Sequence, residues 1–124
     1  MPPSKLVEIL HKLSELEIDT SPRKGTSTYS VYIIEIENVN SESPFDFYVG
    51  STGKDIEMRF QEHKNRGPKS ARIFKNGKMI PSRICWEKMQ DFPEFITREF
   101  AEQAENFVAL YLAGQGLRVK SDKI

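Results

Sequence analysis

Residues 28–50 read TYSVYIIEIENVNSESPFDFYVG, and this stretch decides the fold class. Residues 28–37 concentrate β-branched and aromatic side chains, the composition of a strand. Both parities are largely apolar, with Val31 and Ile33 on one and Tyr32, Ile34 and Ile36 on the other. A strand of that kind is expected to be covered on both faces. Residues 45–50 form a second strand. The polar connection at 38–44 is too short for a crossover, so an antiparallel hairpin is the natural pairing.

Downstream, residues 51–54 turn the chain into a helix over 55–65. Thr52 and Asp55 are spaced as a capping box in which Asp replaces the usual Glu. Gly67 and Pro68 end that helix. Residues 69–75 read as one further short helix, ended by Asn76 and Gly77. The third strand spans 78–87 and contains Met79, Ile80, Ile84, Cys85 and Trp86, with Pro81 expected near an edge or bulge. Thr97 starts a final helix that runs to about Ala113 and stops at Gly114 and Gly116. Upstream, Leu6, Ile9, Leu10, Leu13 and Leu16 recur at helical spacing. They predict an amphipathic helix over 4–18 with Ser4 as its N-cap, followed by a linker at 19–27. The order is helix, two strands, helix, strand, helix. It has no internal repeat and no second core, which is an α+β arrangement.

The totals agree with one soluble domain. The chain has 124 residues, 38% hydrophobic and 29% charged, which is enough for a core without staples. No apolar run approaches the roughly 18 residues of a membrane span. The N-terminal Met-Pro-Pro-Ser-Lys lacks the apolar stretch of a secretion signal. A single cysteine, Cys85, excludes an internal disulfide framework and a multi-cysteine zinc site. Together these favour a reducing, intracellular location.

Net charge is zero, but the distribution is uneven. Lys64, Arg66, Lys69, Arg72, Lys75, Lys78 and Arg83 fall in a stretch with no acidic residue, whereas the rest of the chain has 11 basic against 18 acidic residues. One basic sector on an acidic protein would hold a polyanion in one place and repel it elsewhere. The same stretch also reads as a solvated basic face.

Several residues stand out for their chemistry. On the 55–65 helix, Ile56, Phe60 and His63 share one stripe with Arg59 beside it. Arg59 and His63 are four apart and project to the same side. They read either as an arginine snorkelling over apolar surface beside a core histidine, or as a pair of functional groups. The final helix has an apolar stripe of Ala104, Phe107, Val108 and Tyr111. Glu105 lies at its flank, where a carboxylate can ligate a hard cation and remain reachable, and Glu102 points further toward solvent. Tyr32 and Tyr48 lie within strands, and Gly50 ends the second one as a turn glycine would.

Taken together, Ser30-Val31-Tyr32, Tyr48-Val49-Gly50, Arg59, His63 and Glu105 resemble the GIY-YIG nuclease domain over about residues 28–121. The resemblance implies a small three-stranded antiparallel sheet flanked by helices, to which residues 1–20 add an N-terminal helix. It also implies a metal-dependent endonuclease that hydrolyses DNA phosphodiester bonds, of the kind used in DNA repair or restriction. Tyr32 matches the tyrosine that deprotonates or positions the attacking water, and Tyr48 shares its hydrogen-bond network. Arg59 matches the arginine that clamps the scissile phosphate. His63 matches a helix histidine of many members. Glu105 matches the glutamate that binds the divalent metal, Mg²⁺ with Mn²⁺ as a substitute. The first tripeptide is Ser-Val-Tyr rather than Gly-Ile-Tyr. The tyrosine spacing of 16 is longer than usual in the family. Ser121 stands near where many members have an asparagine.

On that resemblance, the chemistry needs an activated water, charge relief on the phosphate and a stabilised leaving oxygen. A free tyrosine titrates near pH 10 and is a poor base, and a neighbouring cation favours tyrosinate. Arg59, a protonated His63 or the metal-phosphate assembly would serve. Lys64, Arg66, Lys69, Arg72 and Lys75 would track flanking DNA phosphates. The alternative is a catalytically inactive nucleic-acid-binding domain of the same fold. A third reading is a protein-interaction domain contacted through the N-terminal helix. The protein is expected to be a monomer or homodimer with no membrane attachment.

Overall fold

β1 (Ser30–Asn38) lies inside the sheet, as a strand apolar on both parities must. Val31, Tyr32, Ile33, Ile34 and Ile36 are all buried. β2 (Phe47–Thr52) pairs with it antiparallel, setting Tyr32 opposite Gly50 and Ile34 opposite Tyr48. β3 (Met79–Ile84) pairs antiparallel along the other side of β1. The register shifts between Glu35 and Ile36, where Pro81 lies opposite Ile36. Proline has no N–H to donate, so an edge strand with an irregular register is where it fits. The computed structural model describes residues 5–20, 28–38, 45–65, 74 and 79–121.

The sheet has four strands rather than the expected three, and it is mixed rather than antiparallel. β4 (Val119–Ser121) runs parallel to β2, giving the order β3-β1-β2-β4. Three residues carry no periodic signal of their own. Their place is set by Arg118, whose carbonyl accepts from Asp46 N at 2.8 Å and Phe47 N at 3.1 Å. The Arg118 guanidinium also forks onto Asp46, with Nε to Oδ2 and Nη2 to Oδ1 both at 2.8 Å.

α2 (Ile56–Lys64) is capped by Asp55, whose side chain accepts from Glu57 N at 2.9 Å. The expected Thr52–Asp55 capping box does not form. Asp55 is itself the cap, and Thr52 Oγ1 accepts from Lys54 N inside the preceding turn. β3 ends earlier than expected, and Trp86–Lys88 forms a 3₁₀ turn after it.

α3 (Arg98–Gly114) starts at Thr97, whose hydroxyl accepts from Phe100 N. Beyond its end Gly116 has φ +88°, which glycine adopts without strain. The buried face of α3 is Ala101, Ala104, Glu105, Val108, Ala109 and Leu112. Phe107, expected on the core stripe, is 42% exposed. Small alanines bring the helix close to the sheet, and the large ring lies outside that seam.

α1 (Lys5–Thr20) packs against α3. Leu6, Val7 and Leu10 are buried, while Leu16, expected on the same stripe, is 52% exposed. Glu17 goes inward instead, 1% exposed. Its Oε1 accepts from Ile96 N at 2.6 Å, and its Oε2 accepts from Thr97 N at 2.9 Å and Thr97 Oγ1 at 2.7 Å. These bonds satisfy the burial of the charge. Tyr29 pairs with Phe95 through both backbone groups, at 2.7 and 2.8 Å, which ties the start of β1 to the approach to α3.

Among the described residues, no helix is long and apolar enough to cross a membrane. Ser4, the linker from 21 onward, the rest of the hairpin connection at 39–44 and the short helix expected at 69–75, apart from Phe74, lie outside the described residues. So do Arg66, Lys69, Arg72, Lys75 and Lys78.

Candidate active site

Tyr32 projects from the middle of β1 across Gly50 on β2. A Cβ at Gly50 would lie 2.5 Å from Tyr32 Cζ and closer still to its hydroxyl. The glycine is therefore more than a turn residue, because only a hydrogen leaves room for this ring. The Tyr32 hydroxyl reaches His63 Nε2 at 2.8 Å, and both groups are buried. Tyr48, in register two residues before Gly50, sets its ring edge-on to His63, centroids 5.5 Å apart at 72°. The two tyrosine rings are 6.2 Å apart.

Phe74 closes the cluster, 5.3 Å from Tyr48 and 5.1 Å from His63. Sequence reasoning did not single it out. It is one apolar residue inside a basic stretch, and nothing local marks it as a partner of the tyrosines.

Arg59 lies one helical turn before His63. Its guanidinium donates to Glu62 Oε1 at 3.2 Å and interacts electrostatically with Tyr32. Burial opposes its charge, but Tyr32 and Glu62 together outweigh that and raise its pKa. Lys54 Nζ holds the other oxygen of Glu62 at 2.7 Å. The Lys54 hydrogen bond foremost, and Arg59 after it, keep the Glu62 carboxyl below its usual range.

His63 is 0% exposed. Burial first, and the Arg59 charge second, push its pKa from 6.5 down to about 4, with Glu62 acting weakly the other way. The imidazole is neutral at pH 7. This corrects the expectation that a protonated His63 would supply a cation beside the tyrosine.

Glu105 is 2% exposed. It is inside the core rather than at its margin, among the buried residues of α3. Ser121 is also fully buried, in register with Val49 and next to Tyr48 along β2.

Of the basic residues, Lys64 is exposed at the end of α2. Arg83 is engaged elsewhere, with Nε to Glu35 and Nη2 to Glu87 both at 2.7 Å. Tyr32, Tyr48, Arg59 and His63 thus form one contiguous group built from β1, β2 and α2.

Comparison with known families matches residues 28–107 to the GIY-YIG catalytic domain. The chain belongs to the GIY-YIG family. The matched span contains Tyr32, Tyr48, Arg59, His63 and Glu105. No curated protein and no solved structure matches the chain.

GIY-YIG domains are generally endonucleases that use a divalent metal, so a nuclease-type function on a nucleic-acid substrate follows for this chain. Glu105 has a buried carboxylate, a hard oxygen donor of the kind Mg²⁺ takes. Among the described residues there is no group of three or more His, Cys, Asp and Glu, as a protein cage for zinc would need. A single carboxylate, with water and phosphate oxygens completing the shell, is how Mg²⁺ is commonly held.

Proposed function

We propose that this GIY-YIG protein is a divalent-metal-dependent DNA endonuclease, with residues 28–121 as the catalytic unit. The observation that carries the reading is the buried Tyr32–His63 hydrogen bond, with the Arg59 charge one helical turn before His63 and interacting with Tyr32.

Neutral His63, in the tautomer with its proton on Nδ1, offers Nε2 as an acceptor for the Tyr32 proton. As Tyr32 takes a proton from the attacking water, it passes its own to His63. Arg59 stabilises the negative charge that builds on the phenol oxygen between the two transfers. Burial and the Arg59 charge disfavour the imidazolium so formed, so His63 gives that proton up again readily. Tyr48 and Phe74 hold the imidazole in place by ring contacts.

Arg59 also has the planar fork that grips a phosphate with two donors. Exchange of its Glu62 contact for the scissile phosphate keeps its charge partnered. Glu105 would hold Mg²⁺, or Mn²⁺ in its place. Such an ion supplies charge neutralisation on the phosphate and stabilisation of the leaving oxygen. Lys64, Arg66, Lys69, Arg72 and Lys75 are assigned to phosphates further along the duplex. An intracellular setting suits such an enzyme.

A second reading is favoured by one observation. Tyr32, Tyr48, His63 and Glu105 are all closed off from solvent, as in a domain that binds nucleic acid without turnover. Incubation with supercoiled plasmid, branched DNA and single-stranded DNA in Mg²⁺ and Mn²⁺ decides. Nicking that is lost in Tyr32→Phe and in chelator supports the nuclease. Salt-sensitive binding without cleavage by the wild type would leave the second reading standing.

A further inference from the structure

A groove of about 570 Å³ opens beside Arg59, bordered by Tyr29, Ser51, Thr52, Lys54 and Arg98. Its lining holds three cations and no carboxylate. Each of the other described grooves has at least two acidic residues in its wall. Its cations come from three places: Lys54 from the turn after β2, Arg59 from α2 and Arg98 from the first position of α3.

Lys54 and Arg59 share the single carboxylate of Glu62. One anion between two cations leaves a positive charge over, and exposed Arg98 adds a second. The floor is close-packed, since a Cβ on Gly53 would lie 3.1 Å from the Tyr29 ring. Ser51 and Thr52 contribute hydroxyls to the wall.

We propose that this groove is a phosphate subsite for the nucleic-acid strand being cut, in which Lys54 and Arg98 take a backbone phosphate next to the one gripped by Arg59. The assignment rests on the nuclease reading. A nucleic-acid strand carries a charge at every nucleotide, so a site that holds one phosphate has the adjacent one within reach. Arg59 is a wall of both the catalytic cluster and the groove, so a strand seated on Arg59 continues into it. The cations there recognise backbone rather than base, and the subsite contributes affinity and register without sequence preference.

Equilibrium binding of a labelled duplex, in chelator and over a salt series, tests this. Lys54→Gln combined with Arg98→Gln is expected to weaken binding at low salt by roughly tenfold. The slope of log affinity against log salt should flatten by up to about 0.9 for each phosphate that the variant no longer neutralises. Lys12→Gln, an equal charge loss on the exposed face of α1, serves as the control and should keep the wild-type slope. Thermal melting of each variant checks that the fold is intact. If the double variant binds with the wild-type slope, the subsite is wrong even where the wild type nicks DNA. If the wild type shows neither salt-dependent binding nor Mg²⁺-dependent nicking, the nuclease reading and the subsite fall together.

Discussion

Gly50 lies directly across the sheet from Tyr32, and its missing side chain is what lets the tyrosine lie against β2 and reach His63. Gly50→Ala would set a methyl group 2.5 Å from Tyr32 Cζ. The ring must move, and with it the hydroxyl. Overpacking of this kind costs about 1–3 kcal/mol. The expected outcome is a folded but less stable protein whose Mg²⁺-dependent nicking falls more than the stability loss explains. Denaturant melts and nicking rates on one preparation check it. A Gly50→Ala protein that nicks at the wild-type rate would mean that the Tyr32–His63 contact is not needed for turnover.

His63 links stability to pH. Its native pKa of about 4 lies below the 6.5 of an unperturbed imidazole. The unfolded chain therefore takes up this proton first, and stability rises with pH where that happens. The contribution is complete above pH 6.5 and is lost as pH falls through about 4. Urea denaturation of His63→Gln should lack this part of the acid slope. An imidazole NMR titration, with His11→Gln to assign the second histidine, should find His63 neutral at pH 6. A His63 signal with its midpoint at 6.5 would mean that burial and the Arg59 charge do not hold the imidazole neutral, and the acid slope would then have another source.

Glu105 tests the metal. Glu105→Gln keeps the shape and removes the charge, so it should bind duplex DNA in chelator as the wild type does. Its cleavage in Mg²⁺ should fall by orders of magnitude. Glu102→Gln, half-buried one turn earlier, should stay within a few-fold of wild type. The reverse pattern would move the metal ligand to Glu102. Chelation of the wild type should abolish nicking, and Mn²⁺ should restore it.

Glu17 tests the N-terminal helix. Its carboxylate accepts three hydrogen bonds at the start of α3. Hydrogen bonds to a charged group contribute roughly 1.5–3 kcal/mol each, and they are not additive. Glu17→Ala should lower stability by at least about 2 kcal/mol, and removal of residues 1–20 should lower it further. Melts of both variants, with light scattering for mass, read this out. A truncated protein that melts like the full chain would mean that α1 docks on something else.

Much of the fold was legible in local pattern. The apolar parities of 28–37 called for a strand covered on both faces, and β1 has Val31, Tyr32, Ile33, Ile34 and Ile36 all buried. Pro81 was expected near an edge or bulge, and it sits on edge strand β3 opposite a register shift. Thr97 and the glycines after 113 marked the ends of α3. Arg59 and His63, four apart on one helix, do project to the same side, toward Tyr32. The errors have a common form. Leu16 and Phe107 satisfied helical spacing, yet a charged Glu17 and a row of alanines took the buried positions. Periodicity ranks residues by hydrophobicity, whereas packing selects by fit and by available hydrogen-bond partners.

By itself, the sequence determined α1, β1 to β3, α2 and α3, the Thr97 cap of α3 and which residue types stand on each. These depend on backbone propensity and on neighbours within a few positions, so they are written locally. Only the tertiary structure decided the parallel fourth strand, the inward turn of Glu17, the wall supplied by Phe74 and the lining of one groove by both Lys54 and Arg98. Each joins groups far apart in the chain: Asp46 and Arg118 are 72 residues apart, and Glu17 and Ile96 are 79. The neutral state of His63 belongs with them, because desolvation and the nearby Arg59 charge set it, and burial exists only once the chain has folded.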